Sequence, residues 1–345
     1  MELIPLWEKH FDKNYKGQFA ECRSPGAIIT QKGTILRWFG GRSGAHNDWA
    51  VNRPVICRST DDGDTWSDQS ISLPESLGGE KTDTLNNPCV LVNGEQILLA
   101  FHQNYSRAFI TESVDDGLTW SEPSEITQAY HQFPYQWNVC ATGPGHGMVL
   151  ADGQLAFPIW LANGKTIDER RKVHWPSVAG IILSSDHGKS WHAGGLYSDI
   201  NDANENTIAQ LPNGNLVANI RCREDDHYRR ICISQDSGIH FSPPYICHDL
   251  PDPWCMGSMI NAGSNGLLYC GCESRTGNPE YLSSRVNLKI KQSFDGITWK
   301  DLLTVDAVGG YCDIFGCDDI LLVSYEKTLE GVVQEIVLKK YAIQS

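Results

Sequence analysis

The sequence predicts an all-β fold: a six-bladed β-propeller with four-stranded antiparallel blades, formed by residues 1–345 as one domain. Three observations lead there. A turn motif recurs five times, a second set of turns recurs at near-constant spacing, and both chain ends read as strands. Fixed-period repeats of this length are the mark of architectures built from one supersecondary unit.

The first motif has the form S-x-D-x-G-x-x-W. Ser59, Asp61, Gly63 and Trp66 make one full copy, and Ser113, Asp115, Gly117 and Trp120 a second. Ser184, Asp186, Gly188 and Trp191 make a third. In a fourth, Ser234, Asp236 and Gly238 are followed by Phe241 in the aromatic position. The fifth, with Ser293, Asp295, Gly296 and Trp299, is one residue shorter. Short Ser and Asp side chains accept from nearby backbone amides and glycine supplies positive φ, so each copy is read as a turn between two strands. The aromatic residue is expected to pack that turn onto its own sheet.

The second set of turns counts the blades. Lys32–Gly33, Asn93–Gly94, Asp152–Gly153, Asn213–Gly214, Asn265–Gly266 and Asp318–Asp319 are each followed by a short apolar run, such as Ile97 to Phe101 or Leu216 to Ile220. The glycines lie 52 to 61 residues apart, which suits four strands with their loops. Residues 3–7 are expected to pair near residues 335–339, closing the ring with both chain ends in one blade.

Composition limits the partners. With 28 basic and 42 acidic side chains the net charge is −14, which repels nucleic acid and anionic membranes at long range. An anionic ligand therefore needs a local basic pocket. The opening residues contain no apolar run of signal-peptide length, so a cytoplasmic location is expected. The twelve cysteines are then read as reduced, half-buried strand residues. Cys270 and Cys272 lack the companions of a zinc site, and no metal or cofactor is expected.

The residues between the repeats point to chemistry. Arg23 before Pro25, then Gly41 and Arg42, then Asn47 and Asp48 resemble the opening of the exo-α-sialidase family. Residues 142–147, containing the Gly-Pro-Gly turn and His146, resemble a further segment of that family. So do Glu205 followed by Arg221, Arg285 ahead of the last repeat, and Tyr311 ahead of Tyr325 and Glu326. The resemblance spans the chain and implies a bacterial-type sialidase propeller. It assigns Tyr311 as nucleophile, Glu205 as its base, Asp48 as general acid/base, and Arg23, Arg221 and Arg285 as the carboxylate-binding set. Arg42 and Trp49 are additional candidate substrate contacts.

These residue types suit one another. Three guanidinium groups hold a planar carboxylate through charge-assisted bonds. A carboxylate nucleophile would be repelled by the carboxylate on the sugar, and sialidases use tyrosine instead. The implied substrate is a sialylated glycan or another acidic sugar. Hydrolase or transferase action on a related 2-keto-3-deoxy sugar acid is the alternative, and a non-catalytic propeller that binds acidic glycans is a third reading. Individually, each arginine could be a surface or blade-bridging group, Tyr311 a strand aromatic, and Asp48 and Glu205 turn acids. His146 is read as a turn histidine bonded to backbone. Of the tryptophans, which include Trp137, Trp160 and Trp175, Trp49 is singled out because it adjoins Asp48.

Overall fold

A computed structural model describes residues 1–45, 47–168, 171–274, 285–317, 319–329 and 332–344. Six small antiparallel sheets form a six-bladed propeller. The first blade contains Glu21–Ile29, Ile35–Arg42, Asn52–Ser59 and Ser67–Ser70. The second is Leu85–Asn93, Gln96–Gln103, Arg107–Ser113 and Ser124–Glu125. The third is Val139–Thr142, Leu155–Ala162, Ser177–Ser184 and His192–Leu196. The fourth is Asn206–Gln210, Leu216–Ile220, Tyr228–Ser234 and Tyr245–Pro251. The fifth is Ser258–Asn261, Leu267–Cys272, Val286–Ser293 and Lys300–Val308. The sixth is Cys312–Cys317, Ile320–Leu329, Val332–Gln344 and, on its outer edge, Glu2–Asp12. Gly145–His146 adds a short parallel strand to the second blade, and Met148–Val149 an antiparallel one to the third.

The two chain ends pair as expected, with residues 3–7 lying just beyond Glu335 to Lys339. Leu3 lies opposite Ile343 and Trp7 opposite Lys340, while Glu335 to Lys339 face Asp12 to Glu8. The pairing is longer than the sequence pattern suggests. A bulge between Pro5 and Trp7 lets it run the whole length of both strands, because proline cannot donate to the ladder. Of the blade-counting turns, the apolar strands follow as expected; Asp318 of the sixth turn lies outside the described residues.

The five repeated turns have the predicted internal chemistry. Ser59 Oγ donates to Asp61 and accepts from the Gly63 amide at 2.9 Å, and Asp61 Oδ1 accepts from the Thr65 amide at 2.9 Å. The same pattern repeats at Ser113, Ser184, Ser234 and Ser293. Their packing differs from expectation. Each turn also grips the preceding blade, and not its own sheet alone. Trp7 Nε1 donates to Asp62, Arg58 Nε to the Asp116 carbonyl, and Gln96 Nε2 to the His187 carbonyl. Ser237 donates to Asp152, and the Trp299 amide to Asp249. A blade is too thin to bury both of its faces alone, so the conserved geometry of these turns is spent on the inter-blade seam.

The eleven cysteines with described side chains are free and fully buried, deeper than the half-burial expected of them. The cores fill the seams between blades, as where Leu36 and Trp38 of the first blade meet Leu99 and Phe101 of the second.

Gly238 and Gly214 both have a φ of +87°, but they differ in surroundings. A Cβ on Gly238 would lie 2.3 Å from Ile181 Cδ1 of the third blade, whereas one on Gly214 would meet nothing within 4 Å. Gly214→Ala is therefore expected to destabilise by about 1 kcal/mol through backbone strain alone. Gly238→Ala should cost roughly 2–4 kcal/mol, strain plus overpacking of the seam. Thermal or denaturant unfolding of the two variants checks the order.

Candidate active site

The residues assigned to chemistry gather at the end of the propeller opposite the repeated turns. In the first blade Ile35 pairs with Ser59, where a repeated turn begins, and Arg42 pairs with Asn52 at the other end. The loop from Arg42 to Asn52 holds Asp48. Glu205 stands immediately before the first strand of the fourth blade, and Arg221 immediately after the second. The ladder continues past both strands: the Arg221 amide donates to the Glu205 carbonyl at 3.0 Å, and the Asn204 amide to the Arg221 carbonyl at 3.1 Å. That register makes the Glu205 and Arg221 side chains neighbours.

Tyr311 stands one residue before the first strand of the sixth blade and reaches this pair. Its hydroxyl donates to Glu205 Oε1, and Arg221 Nη1 donates to the Tyr311 oxygen at 2.9 Å. Arg221 also pairs with Glu205 Oε2. The guanidinium carbons of Arg23 and Arg285 lie 5.4 and 4.8 Å from the centre of the Tyr311 ring. Tyr311, Glu205, Arg23, Arg221 and Arg285 are thus brought together from four blades. Burial, followed by the Glu205 charge, pushes the Tyr311 hydroxyl above its ordinary value, against the pull of the three arginines. The phenol stays protonated at neutral pH and needs an acceptor to react.

The positive charges are unevenly compensated. Arg23 Nε donates to Glu326 Oε1 at 2.7 Å, and the same oxygen accepts from the Ser24 amide at 2.9 Å. Glu326 Oε2 accepts from the Tyr311 amide at 3.2 Å, so one buried acid orients both the arginine and the tyrosine. Burial alone would raise the Glu326 carboxyl, but Arg23 holds it below its ordinary value. Among the described residues, Arg285 Nη2 donates to the Trp254 carbonyl at 3.3 Å, and its Nη1 is buried without a partner. Buried guanidinium without an acid is costly, and an anion would relieve it.

Arg42 and Asp48 form a second cluster, with Nη1 and Oδ1 2.9 Å apart. Asp48 is open to solvent on its outer side. Burial of its inner side opposes ionisation, but Arg42, then His174 and Arg23, outweigh it and hold the carboxyl down to about 2. Trp49 is half-buried and packs on Tyr105 and His174, at centroid distances of 4.8 and 5.7 Å.

Several site residues escaped the sequence reading. Glu326 was visible only as the end of a motif and had no assigned role. Tyr105 and His174, which pack on Trp49, carry no local signal, since an aromatic in a strand or loop is usually a packing residue, and Trp160, one of the tryptophans named from the sequence, packs on both. His146 is more than a turn histidine bonded to backbone: its Nδ1 lies 2.7 Å from buried Asp313 Oδ1, and this charge partner raises its pKa against the effect of burial. Ser258 donates to the same oxygen. Trp137 stacks on His131, and Trp175 lies exposed beneath Arg223.

The fold and the site together define a class: a six-bladed propeller with a tyrosine–glutamate pair set among arginines at one end of its axis. The BNR repeat-like domain model matches residues 33–322, and the chain belongs to that family. It is 28% identical over 308 residues to a sialidase of Bacteroides fragilis (strain YCH46), covering 81% of this chain and 54% of that protein. It is 28% identical over 331 residues to a sialidase of Micromonospora viridifaciens, covering 86% and 48%. The chain thus spans about half the length of these relatives. Among solved structures, the Hadza microbial sialidase Hz136 superposes with a TM-score of 0.76 at 23% identity, over 96% of this chain and 68% of that one. A protein of unknown function from Dyadobacter fermentans DSM 18053 superposes with a TM-score of 0.73 at 16% identity, over 99% of both chains. The structural likenesses speak for the fold.

If Arg42 is the main cause of the low Asp48 pKa after burial is overcome, Arg42→Gln should move the Asp48 titration up from about 2 toward its ordinary 3.8. The sign follows because a lost cation disfavours the carboxylate. Carboxyl-carbon NMR titration, with Asp48→Asn to assign the resonance, measures it.

Proposed function

We propose that the chain is an exo-α-sialidase that hydrolyses terminal α-linked sialic acids with retention, through a tyrosyl-sugar intermediate. The observation that carries this reading is the Tyr311 hydroxyl held between Glu205 and Arg221, with Arg23 and Arg285 over its ring. The identity to named sialidases supports it.

The geometry supports the following steps. The sugar carboxylate binds the arginine set, drawn chiefly to Arg285 and Arg221, which retain buried nitrogens without protein partners. Tyr311 attacks the anomeric carbon while Glu205 takes its proton, and Arg221 stabilises the phenolate as it develops. A neutral nucleophile approaches a centre that already bears an anion, which a carboxylate could not do as readily. Asp48 protonates the departing glycosidic oxygen. Its carboxylate then deprotonates the water that cleaves the tyrosyl bond, returning the proton and restoring the enzyme.

Asp48 is ionised in the free protein, yet it must donate a proton. The bound sugar carboxylate offsets arginine charge near Asp48 and lifts its pKa. Turnover should therefore be favoured by acid: kcat, which reports the substrate complex, is expected to fall as pH rises from 5 to 8. Arg42→Gln should shift that fall to higher pH, because the proton is then held more tightly. A pH-rate profile of the two proteins tests the sign.

A fluorogenic α-N-acetylneuraminide in the presence of a chelator should release its fluorophore. Tyr311→Phe keeps the ring and loses the attacking oxygen, so it should retain the wild-type melting temperature while activity drops by about three orders of magnitude or more. A 3-fluoro sialosyl fluoride should label Tyr311, located by peptide mapping. Label on Asp48 or Glu205, or near-normal turnover by Tyr311→Phe, contradicts the mechanism; no wild-type turnover contradicts the activity.

A further inference from the structure

Two of the free cysteines meet directly behind the site. The thiols of Cys255 and Cys272 share a hydrogen bond. Both are buried, and each is tied to a different part of the catalytic end. Cys255 follows Trp254, whose carbonyl accepts from Arg285 Nη2 at 3.3 Å. Cys272 Sγ reaches the carbonyl of Gly310, the residue before Tyr311, at 3.6 Å. The pair therefore spans the backbone supports of the arginine and of the tyrosine.

Charge and backbone freedom single out Cys255 as the reactive member. Burial opposes its ionisation, but the hydrogen bond from Cys272 and the positive charge of Arg285, with Arg221 beyond it, outweigh burial and hold the thiol below its ordinary value. Cys272 is the last residue of the Leu267–Cys272 strand and is fixed by the ladder opposite Leu288. Cys255 lies in the connection between the fourth and fifth blades and is held by side chains. Its amide donates to Asp252 Oδ1 at 2.9 Å, and its carbonyl accepts from Arg229 Nη1 at 2.8 Å. Trp254 beside it has a φ of +53°, an uncommon conformation for a residue with a side chain. A pull on Cys255 is therefore taken up by the connection and not by the strand. The neighbouring thiols Cys270 and Cys312 have no such freedom, since both residues sit in strand ladders.

Resting on the glycosidase reading, we propose that Cys255 and Cys272 are a modification site for hydrogen peroxide, which joins them as a disulfide and thereby loosens the hold on the substrate carboxylate. This oxidant is little larger than water, which suits a pair closed to bulky reagents. The Cys255 thiolate attacks one peroxide oxygen, and the O–O bond breaks to leave a sulfenic acid on Cys255 and hydroxide. The Cys272 sulfur then displaces the sulfenic oxygen and forms the S–S bond. Over both steps the two thiols lose two electrons and two protons, peroxide gains both, and two waters leave. A covalent bond holds the sulfurs closer than a hydrogen bond does, so Cys255 is drawn toward the strand. The Trp254 carbonyl moves with it, and Arg285 loses its backbone acceptor where the carboxylate binds.

Peroxide treatment followed by peptide mapping without reduction should yield a cross-linked Cys255–Cys272 peptide, lighter by two hydrogens than its parts. On a fluorogenic α-N-acetylneuraminide, kcat/KM should fall by about tenfold, carried mainly by KM, because a carboxylate contact serves ground and transition states alike. A dithiol reductant should restore it. Cys255→Ala and Cys272→Ala should each remove the cross-link and the reversible loss, with melting curves verifying both folds. Calorimetric binding of free N-acetylneuraminic acid runs alongside. Absence of this cross-link, a link between Cys270 and Cys312 in its place, or a link that leaves KM and binding unchanged overturns the inference; turnover in the same protein spares the hydrolase reading. A Cys255–Cys272 link that reversibly weakens binding, in a protein without turnover before treatment, supports the inference and overturns hydrolysis. Neither binding nor turnover before treatment overturns both.

Discussion

The constraint on which the site depends is the crowding of guanidinium groups at the axis of an acidic protein. Arg23, Arg221 and Arg285 surround one tyrosine, and each is handled differently. Glu326 pairs with Arg23, Glu205 with Arg221, and Arg285 has a backbone carbonyl. Full compensation would bury the cluster as a structural ion network, and none would prevent folding. The intermediate arrangement holds positive charge in place for an anionic ligand.

Rigid positioning of that cluster comes from the blade seams. The site residues belong to the first, fourth, fifth and sixth blades, so their relative positions depend on how blades are spaced. At the opposite end the repeated turns fix this spacing, each joining its own blade to the one before. The closing pairing of Glu2–Asp12 with Val332–Gln344 joins the sixth blade to the chain start, and the first repeated turn then grips it. Structural repeats at one end and irregular functional loops at the other separate stability from chemistry.

Glu326 and Glu205 show how one residue type serves two ends. Glu326 is fully buried, accepts three hydrogen bonds and is committed to Arg23, Ser24 and Tyr311. Glu205 shares its two oxygens between the Tyr311 hydroxyl and Arg221. The first acid fixes geometry, whereas the second sits where a proton can move. The Asp48–Arg42 pair is divided differently, with Arg42 buried and Asp48 exposed.

The sequence by itself determined the blade count, the strand that follows each turn, the inner chemistry of the repeated turns and the pairing of the chain ends. These depend on local patterns: a glycine with positive φ, an Asp that accepts from amides two to four residues on, an alternation of apolar runs and turns. Tyr311, Glu205, Arg23, Arg221 and Arg285 were picked out through the family resemblance, and the tertiary structure decided that they meet. It alone decided the register of closure, the grip of each turn on its neighbour, the part of Glu326, the Asp313 partner of His146, and the packing of Tyr105 and His174 between Trp49 and Trp160. These are contacts between residues far apart in the chain, as between Arg23 and Glu326, 303 positions apart. No short-range pattern encodes such a distance, because the closing of the ring, and not the local chain, brings its two sides together.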